Sequence, residues 1–221
     1  MAKARIAILI SGRGTNMQAL IDAARDPDYP AEIALVISNR PKAAGLDKAG
    51  EEGIQREVIN HKDFKTREDF DAALNDALKT AKIDFVCLAG FMRVLTGGFA
   101  SDWRGRLINI HPSLLPSFEG LHVHERMIEA GVKLAGCTVH FVSAEVDSGP
   151  IIGQAAVPVL PGDDAEKLAA RILKEEHRLY PACLRLLVEG KARLTGATVT
   201  YDESITASGA LINPPIEQAG G

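Results

Sequence analysis

The chain has 221 residues, with 25 Lys and Arg against 29 Asp and Glu, a formal net charge of -4 with histidines neutral. Hydrophobic residues make up 46% and charged residues 24%, the balance of a globular protein, which excludes a wholly disordered, collagenous or coiled-coil chain. The basic residues are scattered rather than run together, so no nucleic-acid footprint is expected. The longest apolar stretch, Ile83 to Leu95, is broken by Asp84 and Arg93 and falls short of the roughly 18 residues of a membrane span. Three cysteines, Cys87, Cys137 and Cys183, are far apart and form no Cys-x-x-Cys pair, which suits a reducing compartment and a cytoplasmic protein.

In chain order, short β-branched runs at Arg5 to Ile10, Glu32 to Ser38, Gln55 to Val58, Phe85 to Leu88 and Leu107 to His111 predict strands. Helical patterns near Asn16 to Ala24, Ala43 to Glu52 and Thr66 to Lys79 fall between them, the last opened by Thr66-x-x-Asp69, which resembles a capping box. This alternation predicts an α/β fold with a Rossmann-like open, mainly parallel twisted sheet and helices on both faces. After Pro116 the spacing predicts a short helix over Val123 to Ala130, then an antiparallel pair, Cys137 to Ser143 and Ile151 to Val159, around Asp147-Ser148-Gly149. A long helix follows from Asp164 to about Val188. The expected division is one domain over 1–189, a phosphate-binding half over about 1–105 and a catalytic half over about 106–189, with an extension over 190–221 of weak periodicity and a frayed end.

Three places combine chemistry with position. Ser11-Gly12-Arg13-Gly14-Thr15-Asn16 joins a strand to a helix, where glycines admit a sharp turn and the helix N-terminus offers free N–H donors to an anion. Met17 stands where a dinucleotide fingerprint needs a third glycine, and no acid closes the second strand, so a single phosphate fits better; a plain tight turn has the same spacing. Asn109 and His111, two apart on a strand, project to the same side and put an amide and an imidazole at a strand's carboxyl end; two satisfied polar residues at a strand terminus are the alternative. Asp147 is a ready turn former, or a carboxylate that orients His111 and favours its charged form. A zinc site at His111, His122 and His124 is disfavoured because no carboxylate or cysteine follows at ligand spacing.

Three blocks in order, 10–16, Leu88-Ala89-Gly90-Phe91-Met92-Arg93-Val94-Leu95 and Asn109-Ile110-His111-Pro112-Ser113-Leu114-Leu115-Pro116, carry a resemblance, joined by His140-Phe141-Val142 and Asp147-Ser148-Gly149-Pro150. From about Arg5 to Val188 the chain resembles the folate-dependent formyltransferases, and its opening block narrows the likeness to those that act on phosphoribosylglycinamide. The resemblance implies transfer of a formyl group from 10-formyltetrahydrofolate to the glycine amine of glycinamide ribonucleotide in de novo purine synthesis, with no metal. It implies Asn109, His111 and Asp147 as catalytic residues. Gly14, Thr15 and Asn16 would hold the substrate phosphate and Glu176 its ribose. The folate would lie against Met92, Arg93, Val94 and Leu95, by Asn109, and against the loop of Ala144, Glu145 and Val146 that runs into Asp147, with Arg67 pairing its glutamate tail. Leu173 departs from the polar residue that several relatives place near the phosphate.

Partners are then small molecules, with a monomer or weak homodimer expected and neither nucleic acid nor membrane. A formyltetrahydrofolate deformylase is the rival enzyme, expected to add an N-terminal regulatory domain for which the first strand, at residue 5, leaves no room. A tRNA-directed formyltransferase would add a C-terminal β-domain and a basic surface. A non-catalytic phosphate sensor needs only the glycine loop, so the joint presence of Asn109, His111 and Asp147 argues against it.

Overall fold

A computed structural model of the chain describes residues 2–205, 211 and 213. Seven strands, β1 (Ala4–Ile10), β2 (Ala31–Ser38), β3 (Arg56–Val58), β4 (Phe85–Leu88), β5 (Leu107–His111), β6 (Leu134–Phe141) and β7 (Ile151–Pro158), form one sheet in the order β3-β2-β1-β4-β5-β6-β7. The pairs from β3 to β5 are parallel, whereas β6 is antiparallel to both β5 and β7 and so alone runs against the rest.

Alternation on β1 explains why the sheet is covered on both faces. Ile6, Ile8 and Ile10 enter one core with Met17 and Leu20 of α1 (Thr15–Ala24), Leu46 of α2 (Ala44–Glu51) and Tyr180 and Leu184 from the C-terminal part of the chain. Ala7 and Leu9 enter the other, with Phe70 and Leu74 of α3 (Arg67–Thr80) and Phe99 of α4 (Gly97–Asp102). A strand buried on both faces is apolar throughout, and all five residues from Ile6 to Ile10 have no exposed surface. The α3 helix starts where the sequence predicts: Thr66 Oγ1 accepts the Asp69 N–H at 3.0 Å. Beyond β5 lie α5 (Val123–Glu129) and the long α6 (Ala165–Val188), whose apolar face packs on β6, β7 and α1.

The predicted elements appear in order, with three differences. β6 begins at Leu134 and ends at Phe141, upstream of the predicted span, because pairing with β7 recruits residues 134–136, while Ser143 Oγ turns to the Glu145 carbonyl at 3.0 Å. A 3-10 turn (His61–Asp63) and the six-residue α4 are additions, too short for a periodic signal. The segment expected to be an irregular extension contains a hairpin, β8 (Ala192–Thr195) and β9 (Thr198–Tyr201), turning at Gly196 with φ 63°. It sits on the body: Ala192 is buried in the core, Tyr201 hydroxyl donates to the Ile152 carbonyl of β7, and the Gly196 carbonyl accepts Arg104 Nη2 at 2.7 Å. The frayed end expected beyond it falls almost wholly outside the described residues.

Candidate active site

β1 lies between β2 and β4, and the chain turns to opposite sides of the sheet after these strands, which opens a crevice at their carboxyl ends. Tyr180, fully buried on α6, aims its hydroxyl at the Leu88 carbonyl that ends β4 (3.0 Å) and at the Ile108 carbonyl within β5 (3.2 Å), tying both strands to one helix. Above them is a cleft of about 630 Å³. Its walls are the segment after β4 and the loops on either side of β6, and its floor holds Asn109, His111, His140 and Asp147.

The floor is hydrogen-bonded as a unit. His111 is buried, with Nδ1 3.3 Å from Asp147 Oδ2 and Nε2 3.0 Å from the Phe118 carbonyl. Both ring nitrogens therefore face acceptors, and a ring with a proton on each nitrogen satisfies both contacts. Asp147 Oδ2 also accepts the Gly120 N–H at 2.9 Å. Asp147 takes a left-handed backbone, φ 54°, in the loop between β6 and β7. Gly149 closes that loop: a Cβ there would lie 1.7 Å from the Phe141 carbonyl oxygen, so only glycine fits.

His140 belongs to this unit although the sequence reading gave it no role. It stands opposite Asn109 in the β5–β6 register. Its Nδ1 donates to the Phe141 carbonyl at 2.9 Å, which leaves Nε2 to accept from Asn109 Nδ2 at 3.2 Å. Burial lowers the pKa of His140, against the Phe141 carbonyl and the Asp147 carboxylate, and so keeps it neutral and able to accept. One amide N–H of Asn109 is thereby fixed on His140, and the other is free for a ligand. Alternation along β6 is legible in the sequence, but the pairing partner that gives His140 its task is not.

The remaining predicted residues divide into groups. Met92, Arg93, Val94 and Leu95 and the loop residues Ala144, Glu145 and Val146 all line the same cleft as the floor. Phe91 and Leu95 are buried and anchor their segment, whereas Met92 and Val94 are 58% and 50% exposed and present apolar surface to the cleft, facing the half-exposed Val146 of the opposite loop. Gly14, Thr15 and Asn16 form the α1 N-terminus outside the cleft lining. Gly14 has φ 67°, and a Cβ on it would press on Met17 Cε at 3.0 Å and Gly45 Cα at 3.2 Å. Asn16 Nδ2 donates to Glu176 Oε2 at 2.6 Å, which joins α1 to α6, while Asn16 Oδ1 is buried without a partner. Burial raises the pKa of Glu176, opposed by the Asn16 hydrogen bond and by the charge of His111, so the two groups share one electrostatic environment. Leu173, one turn earlier on α6, is half-buried and supplies no donor. Arg67 is exposed at the start of α3, away from the cleft lining.

Candidate nucleophiles are scarce here. Burial pushes Cys87, Cys137 and Cys183 up to about 12, far from the thiolate form that attacks carbonyl carbons. Among the described residues no three His, Cys, Asp or Glu side chains are grouped to hold a metal ion; His122 is exposed at the cleft margin, 3.8 Å from Glu125. No helix among the described residues is long and apolar enough to cross a membrane. The floor can thus donate hydrogen bonds to a developing oxyanion and pass a proton between imidazole and carboxylate, beside an apolar wall suited to a flat ring.

Residues 4–184 match the formyl transferase family. The chain is 53% identical over 192 residues to the trifunctional purine biosynthetic protein adenosine-3 of Bos taurus, covering 87% of this chain but only 19% of that protein's length. It is 45% identical over 190 residues to phosphoribosylglycinamide formyltransferase of Haemophilus influenzae, covering 86% of this chain and 90% of that one. The crystal structure of glycinamide ribonucleotide transformylase 1 from Symbiobacterium toebii superposes with a TM-score of 0.87 at 49% identity, covering 90% of this chain and 94% of that chain.

Proposed function

Since the chain belongs to the formyl transferase family, we propose that it moves the formyl group of 10-formyltetrahydrofolate to the glycine amine of 5'-phosphoribosylglycinamide, a step of de novo purine synthesis. The observation that carries this reading is the hydrogen-bonded floor of Asn109, His111, His140 and Asp147 beneath an apolar cleft. The Haemophilus relative, matched over nearly its whole length and named for this reaction, supports the choice of acceptor.

Gly14, Thr15 and Asn16 offer backbone N–H groups to the phosphate at the α1 N-terminus, and the Glu176 carboxylate, held by Asn16, accepts from the ribose. Met92 and Val94 give one apolar wall to the pterin and Val146 the other, with Arg93 and the backbone of 92–95 at its edge and Arg67 toward the glutamate tail. The amine nitrogen attacks the formyl carbon, a C–N bond forms, and negative charge moves to the formyl oxygen. The free N–H of Asn109 and a ring N–H of His111 donate to that oxygen, which takes the place of the Phe118 carbonyl at Nε2. Asp147 holds the charged imidazole and receives the proton shed by the amine, directly or through water. The carbonyl re-forms as the bond to the folate nitrogen breaks, and that nitrogen takes up a proton. No enzyme acyl group intervenes, in keeping with the inert cysteines.

The test is folate release from 10-formyltetrahydrofolate, followed by absorbance, with and without the ribonucleotide. Release that requires the ribonucleotide and yields its formylated form is expected. Release without it would make the chain a deformylase, and no release with both ligands bound would leave only a sensor. A small-molecule enzyme of the cytoplasm, acting as a monomer or weak dimer, is the setting this reading entails.

A further inference from the structure

Ser11 opens the glycine loop, but its own contacts lie elsewhere. Its backbone N–H donates to the Gly90 carbonyl at 3.1 Å. Its buried hydroxyl accepts the Met92 N–H at 2.7 Å and donates to Asn39 Oδ1 at 2.6 Å. Asn39 is itself buried just past β2, with Nδ2 3.1 Å from His61 Nδ1. The next loop residue is tied to the other side, Gly12 carbonyl accepting the Gly45 N–H at 3.0 Å. One side chain thus joins the ends of β1 and β2 and the segment that leaves β4.

The two segments that meet at Ser11 are the ones assigned above to different substrates. Residues 12–16 form the anion-binding loop, and residues 90–95 form the apolar wall of the cleft. Two of the three hydrogen bonds of Ser11 end on residues 90 and 92, so a shift or stiffening of the loop on phosphate binding is felt by the wall, and the reverse. We propose that Ser11 is a positioning residue that couples the two substrate subsites, so that occupation of one raises affinity at the other. The proposal rests on the functional reading above.

Tetrahydrofolate and glycinamide ribonucleotide bind together without turnover because neither carries a formyl group, so calorimetry of this pair reads coupling directly. In the native protein, saturating ribonucleotide is expected to tighten tetrahydrofolate by about 5-fold or more. In Ser11→Ala the same ratio should fall below about 2-fold, which is less than allosteric coupling commonly supplies. Ser11→Thr keeps the hydroxyl and should keep the coupling. If Ser11→Ala fails to fold, Asn39→Ala removes the acceptor that orients the hydroxyl, together with the Nδ2 contact to His61, and its ratio should also fall. Native protein that binds both ligands without coupling, or a folded Ser11→Ala or Asn39→Ala variant that retains native coupling, would overturn the joint. Native protein that binds neither ligand would overturn the functional reading, and the joint with it.

Discussion

The loop at residues 11–16 and the cleft walled by residues 90–95, 120–125 and 142–147 both lie at carboxyl ends of sheet strands, yet they are built from different parts of the residue. The loop works mainly through backbone: Gly14 in the left-handed region brings the chain into the α1 N-terminus, and the side-chain pairs Ser11 with Asn39 and Asn16 with Glu176 tie it to the body. The cleft works through side chains, an apolar rim of Met92, Val94 and Val146 over a polar floor in which each imidazole nitrogen has a partner. Backbone recognition tolerates change in side chains but not in conformation, whereas the floor tolerates neither loss nor displacement of single atoms. Substitutions in the two regions should therefore separate binding of the ribonucleotide from chemistry.

The largest effect is expected at the floor. His111→Ala should lower kcat by about 10²- to 10⁴-fold, the contribution usual for a positioned acid–base group, with both KM values little changed. A kcat near native in steady-state assays would erase the distinction between floor and loop. Gly14→Val comes next, because it forces a β-branched residue into a left-handed conformation that costs about 1–2 kcal/mol and adds the Met17 and Gly45 contacts. It should raise KM for the ribonucleotide by about 10-fold or more and KM for the folate by less, since the strain falls first on the loop and reaches the cleft wall only through the contacts of Ser11. Equal rises for both substrates would mean that the loop does not serve one of them.

A smaller, pH-dependent effect belongs to Glu176. Its pKa is raised in the folded state, chiefly by burial, so the folded protein holds that proton more tightly than the unfolded chain does. Its contribution to stability is full below the unfolded value, about 4.3 for a free Glu, and is lost as pH rises through the folded value. Glu176→Gln removes that loss. Thermal melts should show its Tm above native at and beyond neutral pH and converging on native in acid, while KM for the ribonucleotide rises for want of the carboxylate acceptor. A native Tm profile in the variant would contradict the assigned burial cost.

Much of the fold was legible because the sheet is buried on both faces. Runs such as Ile6 to Ile10 have no polar residue to blur their ends, and Thr66 with Asp69 marks a helix start by chemistry rather than by pattern. The β8–β9 hairpin was missed because its alternation is short and largely exposed; Gly196 between two Thr-bearing runs was the available signal. At the site, Asn109 and His111 could be placed together from strand alternation, and Asp147 from its turn. His140 and Ser11 could not be given tasks, because each acts through a partner at least 28 positions away, Asn109 at 31 and Asn39 at 28, and strand register decides who meets whom. The resemblance supplied Glu176, which the structure buries and joins to Asn16 and whose contact with the ribose is a proposal.

The most direct test of the account is Asp147→Asn, with kcat and the dissociation constants of both substrates measured on one preparation. The amide keeps the shape of the side chain and an acceptor for the Gly120 N–H but cannot hold a charged His111 or take the proton of the amine. The account predicts a fall in kcat of about 10²-fold or more with both dissociation constants within about 2-fold of native. Turnover at the native rate, or loss of substrate binding in place of turnover, would contradict it.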